Sequence, residues 1–305
     1  MCAFFAPLLV PISAIAYLGP VGTYGEQAAL RLANLANAPE ALLLPQITIR
    51  NVMEALGSGL VDAAVVPVEN SVEGGVTTCL DTLWESGAFQ KTPLSIERAL
   101  VLPIRHALLG DGSLDGITEV LSHPQALGQC SSWLQKHLPQ ALQLPTNSTA
   151  EAARMVKGSR FRAAIASQSA ALKHGIAELA YPINDQQGNC TRFLLLRGAL
   201  KAQIEAASCT SLAFSLHANS PGGLVEALQV FAKRQLNMSR IESRPSKREL
   251  GEYVFFVDLN WPSEAITQPQ QQQQQLIETL QELQPLCERL IEFGTYPITD
   301  DAVLP

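Results

Sequence analysis

An ungapped internal repeat constrains the fold of this chain more than any other feature of its sequence. Residues 48–71 read as a helix, then an apolar strand at 62–68, then a polar loop. Residues 148–169, offset by 100 positions, repeat this plan with a strand at 162–166. In both copies a buried strand runs into a short polar loop and a further helix, which is the pattern of α/β units.

A second, looser repeat supports the same interpretation. A strand at 15–18 is followed by Gly19-Pro20 and a helix, and a strand at 120–122 is followed by His123-Pro124 and a helix. Proline is favoured in the first turn of a helix, so both segments predict a helix N-terminus after a strand. We therefore expect two α/β lobes with a cleft between them. Helix N-termini present unpaired N–H groups and a positive dipole end, so such a cleft suits an anion.

The boundaries between the lobes and the third unit are predicted from a proline, from a returning strand and from a change in the order of strands and helices. Thr92-Pro93 predicts the crossing from lobe one to lobe two, and Phe193 begins the return, which places Thr191 beside the hinge at the floor of the cleft. Beyond residue 207, strands and helices alternate in the order βαββαβ, which is the ferredoxin-like pattern. The predicted boundaries are 14–92 with 193–200 for lobe one, 93–192 for lobe two, and 208–297 for the third unit.

Composition and charge exclude several classes of protein. The chain has 305 residues and a net charge of −7, which disfavours nucleic acids and anionic membranes as partners. Its six cysteines are scattered, so we expect reduced thiols, with neither structural zinc nor a disulfide framework. No apolar run reaches about 18 residues, and the apolar N-terminal segment lacks a basic start, so we expect a cytoplasmic protein that is neither exported nor membrane-spanning. The glutamine tract at 270–275 carries no predicted function.

Four short motifs place polar side chains at the ends of predicted strands, where binding and catalytic groups are often positioned. The glycine spacing after the first strand fits neither a dinucleotide-binding loop nor a Walker A loop. The segment Glu69-Asn70-Ser71 also fits a helix cap, and both roles are compatible. The histidine of the third motif, taken alone, is more often a structural residue than a base. The motifs are Gly19-Pro20-Val21-Gly22-Thr23-Tyr24-Gly25, Pro67-Val68-Glu69-Asn70-Ser71-Val72-Glu73-Gly74-Gly75, Ser122-His123-Pro124-Gln125-Ala126-Leu127 and Asn189-Cys190-Thr191-Arg192-Phe193.

In order and over residues 14–200, these motifs resemble those of the prephenate dehydratases, which convert prephenate to phenylpyruvate. The resemblance implies a two-lobed fold like that of type II periplasmic binding proteins. It implies Thr191 as the catalytic residue, an oriented donor towards the departing hydroxyl, with Glu69 as the second candidate for the acid. Gly25 departs from the family, which more often has serine or threonine there. The substrate-binding residues expected on this basis are Thr23, Asn70, Ser71, Ser122, Gln125, Ser167, Asn189, Arg192 and Phe193.

The C-terminal unit resembles an ACT domain, the regulatory module of these enzymes. Glu242-Ser243-Arg244-Pro245 matches one motif of that module, and Gly294-Thr295-Tyr296-Pro297 matches another. The resemblance implies L-phenylalanine as an allosteric effector and a homodimer or homotetramer. The effector-binding residues that it implies are Asn219, Pro221, Gly222, Gly223, Leu224, Glu242, Ser243, Arg244 and Pro245.

The predicted function is that of a single-function prephenate dehydratase regulated by phenylalanine. The elimination involves no redox step, so we expect no metal and no organic cofactor. Two alternatives remain open: an arogenate dehydratase, which shares the motifs, and a non-catalytic anion-binding protein. For Arg192, a structural salt bridge and a contact to a substrate carboxylate are equally good interpretations. Because no catalytic motif lies beyond Phe193, a chain that ends before Ser208 is expected to keep its active site and to lose inhibition.

Overall fold

The computed structural model describes residues 11–89, 94–198, 207–217, 220–262 and 266–301. The first lobe begins as a βαβαβ unit and continues through a short strand, a helix and a fifth strand. Its elements are β1 (Ala14–Leu18), α1 (Tyr24–Leu35), β2 (Leu42–Gln46), α2 (Ile49–Gly57), β3 (Ala63–Asn70), β4 (Gly74–Gly75), α3 (Thr77–Phe89) and β5 (Leu94–Pro103).

The second lobe follows, and one long strand then returns to the first. Its elements are β6 (Ala107–Leu109), β7 (Glu119–Ser122), α4 (Pro124–Gln129), α5 (Ser131–His137), β8 (Leu142–Pro145), α6 (Thr149–Val156), β9 (Arg162–Ala166), α7 (Gln168–His174) and β10 (Glu178–Ala180). The returning strand is β11 (Cys190–Gly198).

The C-terminal unit packs helices on one side of a sheet, and a last strand follows it. Its elements are β12 (Cys209–Leu216), α8 (Gly223–Lys233), β13 (Asn237–Pro245), β14 (Tyr253–Asn260), α9 (Pro269–Leu283), β15 (Cys287–Tyr296) and finally β16 (Ile298–Asp300). None of the helices in the described ranges is long and apolar enough to cross a membrane.

The strands form three sheets. The first has the order β16-β5-β11-β3-β1-β2 with β4 beside β3, the second β10-β6-β9-β7-β8, and the third β13-β14-β12-β15. The third order, in which the first and third strands of the βαββαβ unit are central, is the ferredoxin-like arrangement. The predicted class, two α/β lobes followed by a ferredoxin-like unit, is therefore confirmed.

The internal repeat is visible in the strand pairing. β1 pairs in parallel with both β2 and β3, and β7 pairs in parallel with both β8 and β9. The hydroxyls of Thr48 and Ser148 cap α2 and α6 in the same way, each accepting a hydrogen bond from a backbone N–H in the first turn. The two lobes thus repeat one local plan, from strand order to helix cap.

The first crossing between the lobes lies later than predicted. Thr92-Pro93 itself falls outside the described residues, but β5 continues to Pro103 within the first sheet, paired with β11. The crossing therefore follows Pro103. The residue before a proline favours an extended backbone conformation. Such a pair of residues therefore precedes a strand as readily as it marks a boundary between lobes. The return crossing is adjacent, because Cys190 at the start of β11 is the register partner of Pro103.

The third sheet packs directly against the first lobe. Its buried Ala213, Phe256 and Phe293 share one hydrophobic cluster with Val66 and Leu194 of the first sheet. After β15 the chain returns to the first sheet, where β16 pairs in parallel with β5. The sequence does not predict this strand, because three residues are too few to show a strand period. A shared core and a shared sheet therefore join the third unit to lobe one.

Candidate active site

A cleft of about 390 Å³ lies between the two lobes. Its floor is formed by the ends of β3 and β11 that carry the second and fourth motifs. Its walls are the segments after β1 and β7 and the first turns of α1, α2 and α6. The lining residues are Leu18, Gly19, Thr23, Tyr24, Gly25, Ile47, Ile49, Pro67, Asn70, Val76, Ile104, His106, His123, Gln125, Ala126, Gln129, Asn147, Ser148, Thr149, Thr191 and Phe193.

Thr191 and Asn70 lie side by side on the floor of the cleft. They are register partners in the β3–β11 ladder, and Asn70 Nδ2 lies 2.9 Å from Thr191 Oγ1. The orientation of the amide is fixed, because its Oδ1 accepts hydrogen bonds from the N–H groups of Val72 and Glu73, each at 3.0 Å. Nδ2 therefore donates to Thr191, whose own hydroxyl proton is available for donation into the cleft. Accepting one hydrogen bond also makes a hydroxyl a stronger donor in the next.

A chain of hydrogen bonds connects this pair to the second lobe. Asn189 Oδ1 accepts from Asn70 Nδ2 at 2.9 Å, and Asn189 Nδ2 donates to Gln129 Oε1, also at 2.9 Å. The same Gln129 oxygen lies 3.0 Å from His106 Nε2. Because that oxygen can only accept, His106 carries a proton on Nε2. These side chains, which come from the hinge and from the second lobe, thus hold Asn70 and Thr191 in place on the floor of the cleft.

The electrostatics of the cleft come from backbone rather than from charged side chains. Among the lining residues that the structure describes, none is a lysine, arginine, aspartate or glutamate. Burial raises the pKa of Tyr24 and lowers the pKa of His106, so both side chains are neutral near pH 7. The N-termini of α1, α2 and α6 open on the cleft and supply positive potential. The cleft therefore favours an anion, although the whole chain is negatively charged.

Several predicted site residues do line the cleft. They are Thr23, Asn70, Gln125, Thr191 and Phe193. Thr23 also caps α1, and its hydroxyl donates a hydrogen bond to the Pro20 carbonyl oxygen at 2.8 Å. Its proton is therefore already engaged with the backbone. Gly25 allows a close approach of α1 to the end of β1, because a Cβ atom there would collide with the Leu18 carbonyl oxygen unless the backbone shifted. Asn189 lies just behind Asn70, within the hydrogen-bonded chain.

Glu69 and Arg192 face away from the cleft, which corrects their predicted place in it. Successive side chains of a strand point to opposite faces, so the neighbours of Asn70 and Thr191 point towards the third sheet. Arg192 Nη2 lies 2.9 Å from Glu69 Oε2 and 2.5 Å from Asp258 Oδ2 on β14. Arg192 thus makes structural salt bridges. The carboxylate of Glu69 lies in an ion pair instead of facing the cleft as an acid.

The three predicted serines are engaged in structural hydrogen bonds around the cleft. Ser122 Oγ donates to a carbonyl of β9 at 2.6 Å, and Ser71 Oγ accepts from the first N–H of β11 at 3.0 Å. Ser167 caps α7, and its hydroxyl lies 3.4 Å from the carbonyl oxygen of Gly22 in the other lobe. These side chains hold the loops and strands that form the cleft, and they are not among its lining residues.

Some lining residues were not predicted from the sequence. Tyr24 lies inside the first motif, next to Thr23, and the α6 start at Ser148 is the repeat partner of Thr48 at the start of α2. The repeat could therefore have placed both helix starts at the cleft. His106 and Gln129 carried no such signal, because the crossing between lobes and the hinge hydrogen bonds bring them to the site.

The predicted effector-binding residues fall in two separate places. Residues 221–224 lead into α8, beside a second cavity of about 230 Å³. Residues 242–245 lie on β13, where Arg244 Nε binds Asp81 of α3 at 3.0 Å. Leu224 lines this second cavity, whereas Arg244 and Pro245 line another cavity of about 60 Å³. Asn219 lies outside the described residues.

A two-lobed cleft that attracts anions, backed by a ferredoxin-like unit, is the arrangement of a protein that binds a small anion between its lobes. The family model for prephenate dehydratase matches residues 15–200, and the model for the ACT domain matches residues 210–260. The chain belongs to the prephenate dehydratase family and carries an ACT domain. It is a hydro-lyase of phenylalanine biosynthesis.

Relatives match over nearly the whole chain. A prephenate dehydratase from Mycobacterium sp. (strain JLS) is 36% identical over 302 residues, which are 95% of this chain and 91% of the relative. A bifunctional chorismate mutase/prephenate dehydratase from Aquifex aeolicus is 36% identical over 285 residues, covering 93% of this chain and 73% of the relative. A solved prephenate dehydratase from Arthrobacter aurescens, in complex with L-Phe, has a TM-score of 0.80 at 32% identity and covers 93% of this chain and 90% of its own.

Proposed function

We propose that Thr191 assists the departure of the hydroxyl group of prephenate, which is bound in the cleft as a dianion. In this reaction the bond between the ring and its carboxylate breaks, and its electron pair enters the ring. The ring C–O bond breaks with its pair on oxygen, so the products are carbon dioxide, hydroxide and an aromatic ring. Aromatisation drives the reaction, and the barrier lies in expelling hydroxide. A donor aimed at the departing oxygen lowers that barrier.

The hydrogen bond from Asn70 Nδ2 to Thr191 Oγ1 is the observation that carries this proposal. It makes the hydroxyl of Thr191 an acceptor on one side and a donor towards the cleft on the other. A threonine hydroxyl is too weak an acid to give up its proton outright, so it stabilises hydroxide through a hydrogen bond, and solvent supplies the proton that forms water. Glu69 has no part in this step, because its carboxylate is paired with Arg192 on the opposite face.

Helix N-termini and neutral donors bind the two carboxylates in this proposal. The first turns of α1, α2 and α6 border the cleft and present backbone N–H groups. His123 Nδ1 accepts a hydrogen bond from the N–H of Gln125 at 3.3 Å, so the imidazole carries its proton on Nε2 and adds one more donor. Neutral and backbone donors hold a dianion without sequestering it in a salt bridge to a flexible side chain.

Replacing Thr191 by alanine and by serine tests the catalytic assignment. Removing a donor aimed at developing charge costs about 100- to 1,000-fold in kcat, and we expect a loss of this size for Thr191→Ala. Thr191→Ser keeps the hydroxyl and should keep most of the activity. Glu69→Gln is the matched control on the same ladder, with an expected loss far smaller than that of Thr191→Ala. Near-normal kcat for Thr191→Ala, or a larger loss for Glu69→Gln, would remove Thr191 from its proposed role.

We also propose that L-phenylalanine binds the ACT domain and that the enzyme works as a homodimer or homotetramer. The L-Phe complex of the Arthrobacter relative supports the ligand. Leu224 lines one cavity and Arg244 and Pro245 line another, which supports a site completed by a second subunit. Leu224→Glu, which puts a charge beside the cavity at the start of α8, should abolish calorimetric binding of L-phenylalanine. Unchanged binding would place the effector elsewhere.

A further inference from the structure

The face of the β3–β11 ladder opposite the cleft carries an ion-pair cluster of the buried Arg192, Arg240 and Asp258 and the partly exposed Glu69. The side chain of Arg192 is 11% exposed and that of Asp258 is 4% exposed. Asp258 Oδ2 accepts from Arg192 at 2.5 Å, and its Oδ1 accepts from Ser211 Oγ, also at 2.5 Å. Ser211 Oγ in turn lies 2.6 Å from the hydroxyl of Tyr296. Both oxygens of Asp258 are therefore held within the ACT sheet and its contact with lobe one.

This cluster and the catalytic pair occupy consecutive positions of one ladder. Thr191 is the register partner of Asn70, and Arg192 is the register partner of Glu69. The hydrogen bond on the cleft face and the salt bridge on the other face have the same length, 2.9 Å. A shift of the Arg192 backbone therefore moves Thr191 relative to Asn70, since one peptide unit separates the two residues.

The ACT sheet is itself fixed against lobe one, so Asp258 is a firm anchor. Phe256, two residues before it on β14, belongs to the hydrophobic cluster shared with β3 and β11. Arg244 binds Asp81 across the same interface, and β16 fastens the far end of the unit to β5. Burial lowers the pKa of Arg192, but Asp258 and the other acidic neighbours more than reverse this, so the guanidinium stays charged. Loss of the Asp258 charge would leave the buried Arg192 with the partly exposed Glu69 as its remaining close acidic partner, which destabilises the present position of the guanidinium and of the strand that carries it.

We propose that Asp258 is a positioning residue for catalysis: it acts through Arg192 to set the position of Thr191, which makes the ACT sheet part of the support of the active site. The inference rests on the proposed role of Thr191. It assigns to the regulatory domain a structural contribution to turnover that exists before any effector binds.

Asp258→Asn, which has almost the same shape and lacks the charge, tests this role. Because a displacement of about 1 Å in an active site can cost as much as 100-fold, we expect kcat to fall at least about tenfold, with little change in KM for prephenate. In an Arg192→Gln background the same substitution should have little further effect, since its path to Thr191 is already broken. L-phenylalanine should still bind Asp258→Asn by calorimetry and should inhibit it less. Asp81→Asn, which breaks a more distant ion pair of the same interface, is the matched control, with a far smaller loss of kcat than that of Asp258→Asn.

Each outcome decides the question. A folded Asp258→Asn enzyme with wild-type kcat overturns the inference, and so does a loss that multiplies fully in the Arg192→Gln background. If Asp258→Asn does not fold, Ser211→Ala, which removes one hydrogen bond to Asp258, replaces it: a smaller drop in kcat supports the inference, and wild-type kcat overturns it. If Thr191→Ala is inactive while Asp258→Asn is normal, only this inference fails. If Thr191→Ala is active, the proposed function fails first.

Discussion

On the cleft face of the β3–β11 ladder, Asn70 and Thr191 are neutral and lie 2.9 Å apart. On the opposite face, one residue along each strand, Glu69 and Arg192 are charged and lie the same distance apart. The first pair faces the space between the lobes, and the second faces the ACT sheet. The alternation of side chains along a strand sorts neighbours in sequence into these two environments.

The difference shows how the chain separates chemistry from assembly. A charged side chain beside Thr191 would compete for its hydroxyl or bind the dianion too firmly, whereas a neutral amide only orients it. On the other face, a buried ion pair adds little net stability but is costly to break, so it suits the task of fixing one unit against another. We therefore infer that Arg192 and Asp258 specify where the ACT sheet lies, while the shared hydrophobic cluster supplies the apolar burial that stabilises the contact.

Removing the ACT unit takes away the sheet that the Glu69–Arg192 face contacts, and it has the largest expected effect. A chain that ends at residue 207 lacks Asp258 and β16, and it exposes the apolar side chains of β3 and β11 that pack on the third sheet. We expect no cooperative thermal unfolding, no near-ultraviolet circular dichroism and no dehydratase activity. This replaces the expectation, drawn from the motifs alone, that such a chain keeps its active site.

The matched control for this truncation is a chain that ends at Tyr296. It loses β16 but keeps Asp258 and the ACT sheet, so it should fold with a lowered Tm and retain measurable turnover. If the chain of residues 1–207 instead folded and kept wild-type kcat, the ACT unit would be dispensable for the active site, and the role assigned to Asp258 would also be wrong.

A smaller effect is expected from a change of substrate, which tests the electrostatics of the cleft. Arogenate carries an ammonium group where prephenate has a keto group. The described lining offers no carboxylate to that ammonium, and helix N-termini repel a cation. We expect kcat/KM to be at least about tenfold higher for prephenate, which corresponds to about 1.4 kcal/mol of differential transition-state stabilisation. Equal values of kcat/KM for the two substrates would contradict the electrostatic account of the site.

The resemblance of two polar motifs, each beside an apolar strand, predicts Thr191 as a catalytic residue and Asn70 as a substrate-binding one, and both line the cleft. It does not show which of two neighbouring side chains faces the cleft, so Glu69 is assigned to the wrong side, and for Arg192 it leaves open the structural salt bridge that the structure shows. The decisive partner, Asp258, is 66 residues from Arg192, on a strand whose apolar pattern indicates only a core. Motifs report local chemistry, whereas the face of a strand and its distant partners are set by tertiary packing.

The most direct test of the account is a double-mutant cycle between Asn70 and Thr191, with kcat measured in single turnovers at high enzyme concentration and Tm measured for every variant. If Asn70 acts by orienting the Thr191 hydroxyl, Asn70→Ala should lower kcat by about 10- to 100-fold in the wild-type background. In the Thr191→Ala background the same substitution should have little further effect, because the group that it orients is gone. Losses that multiply fully in the double variant would contradict the account, since Asn70 would then act on the substrate independently of Thr191.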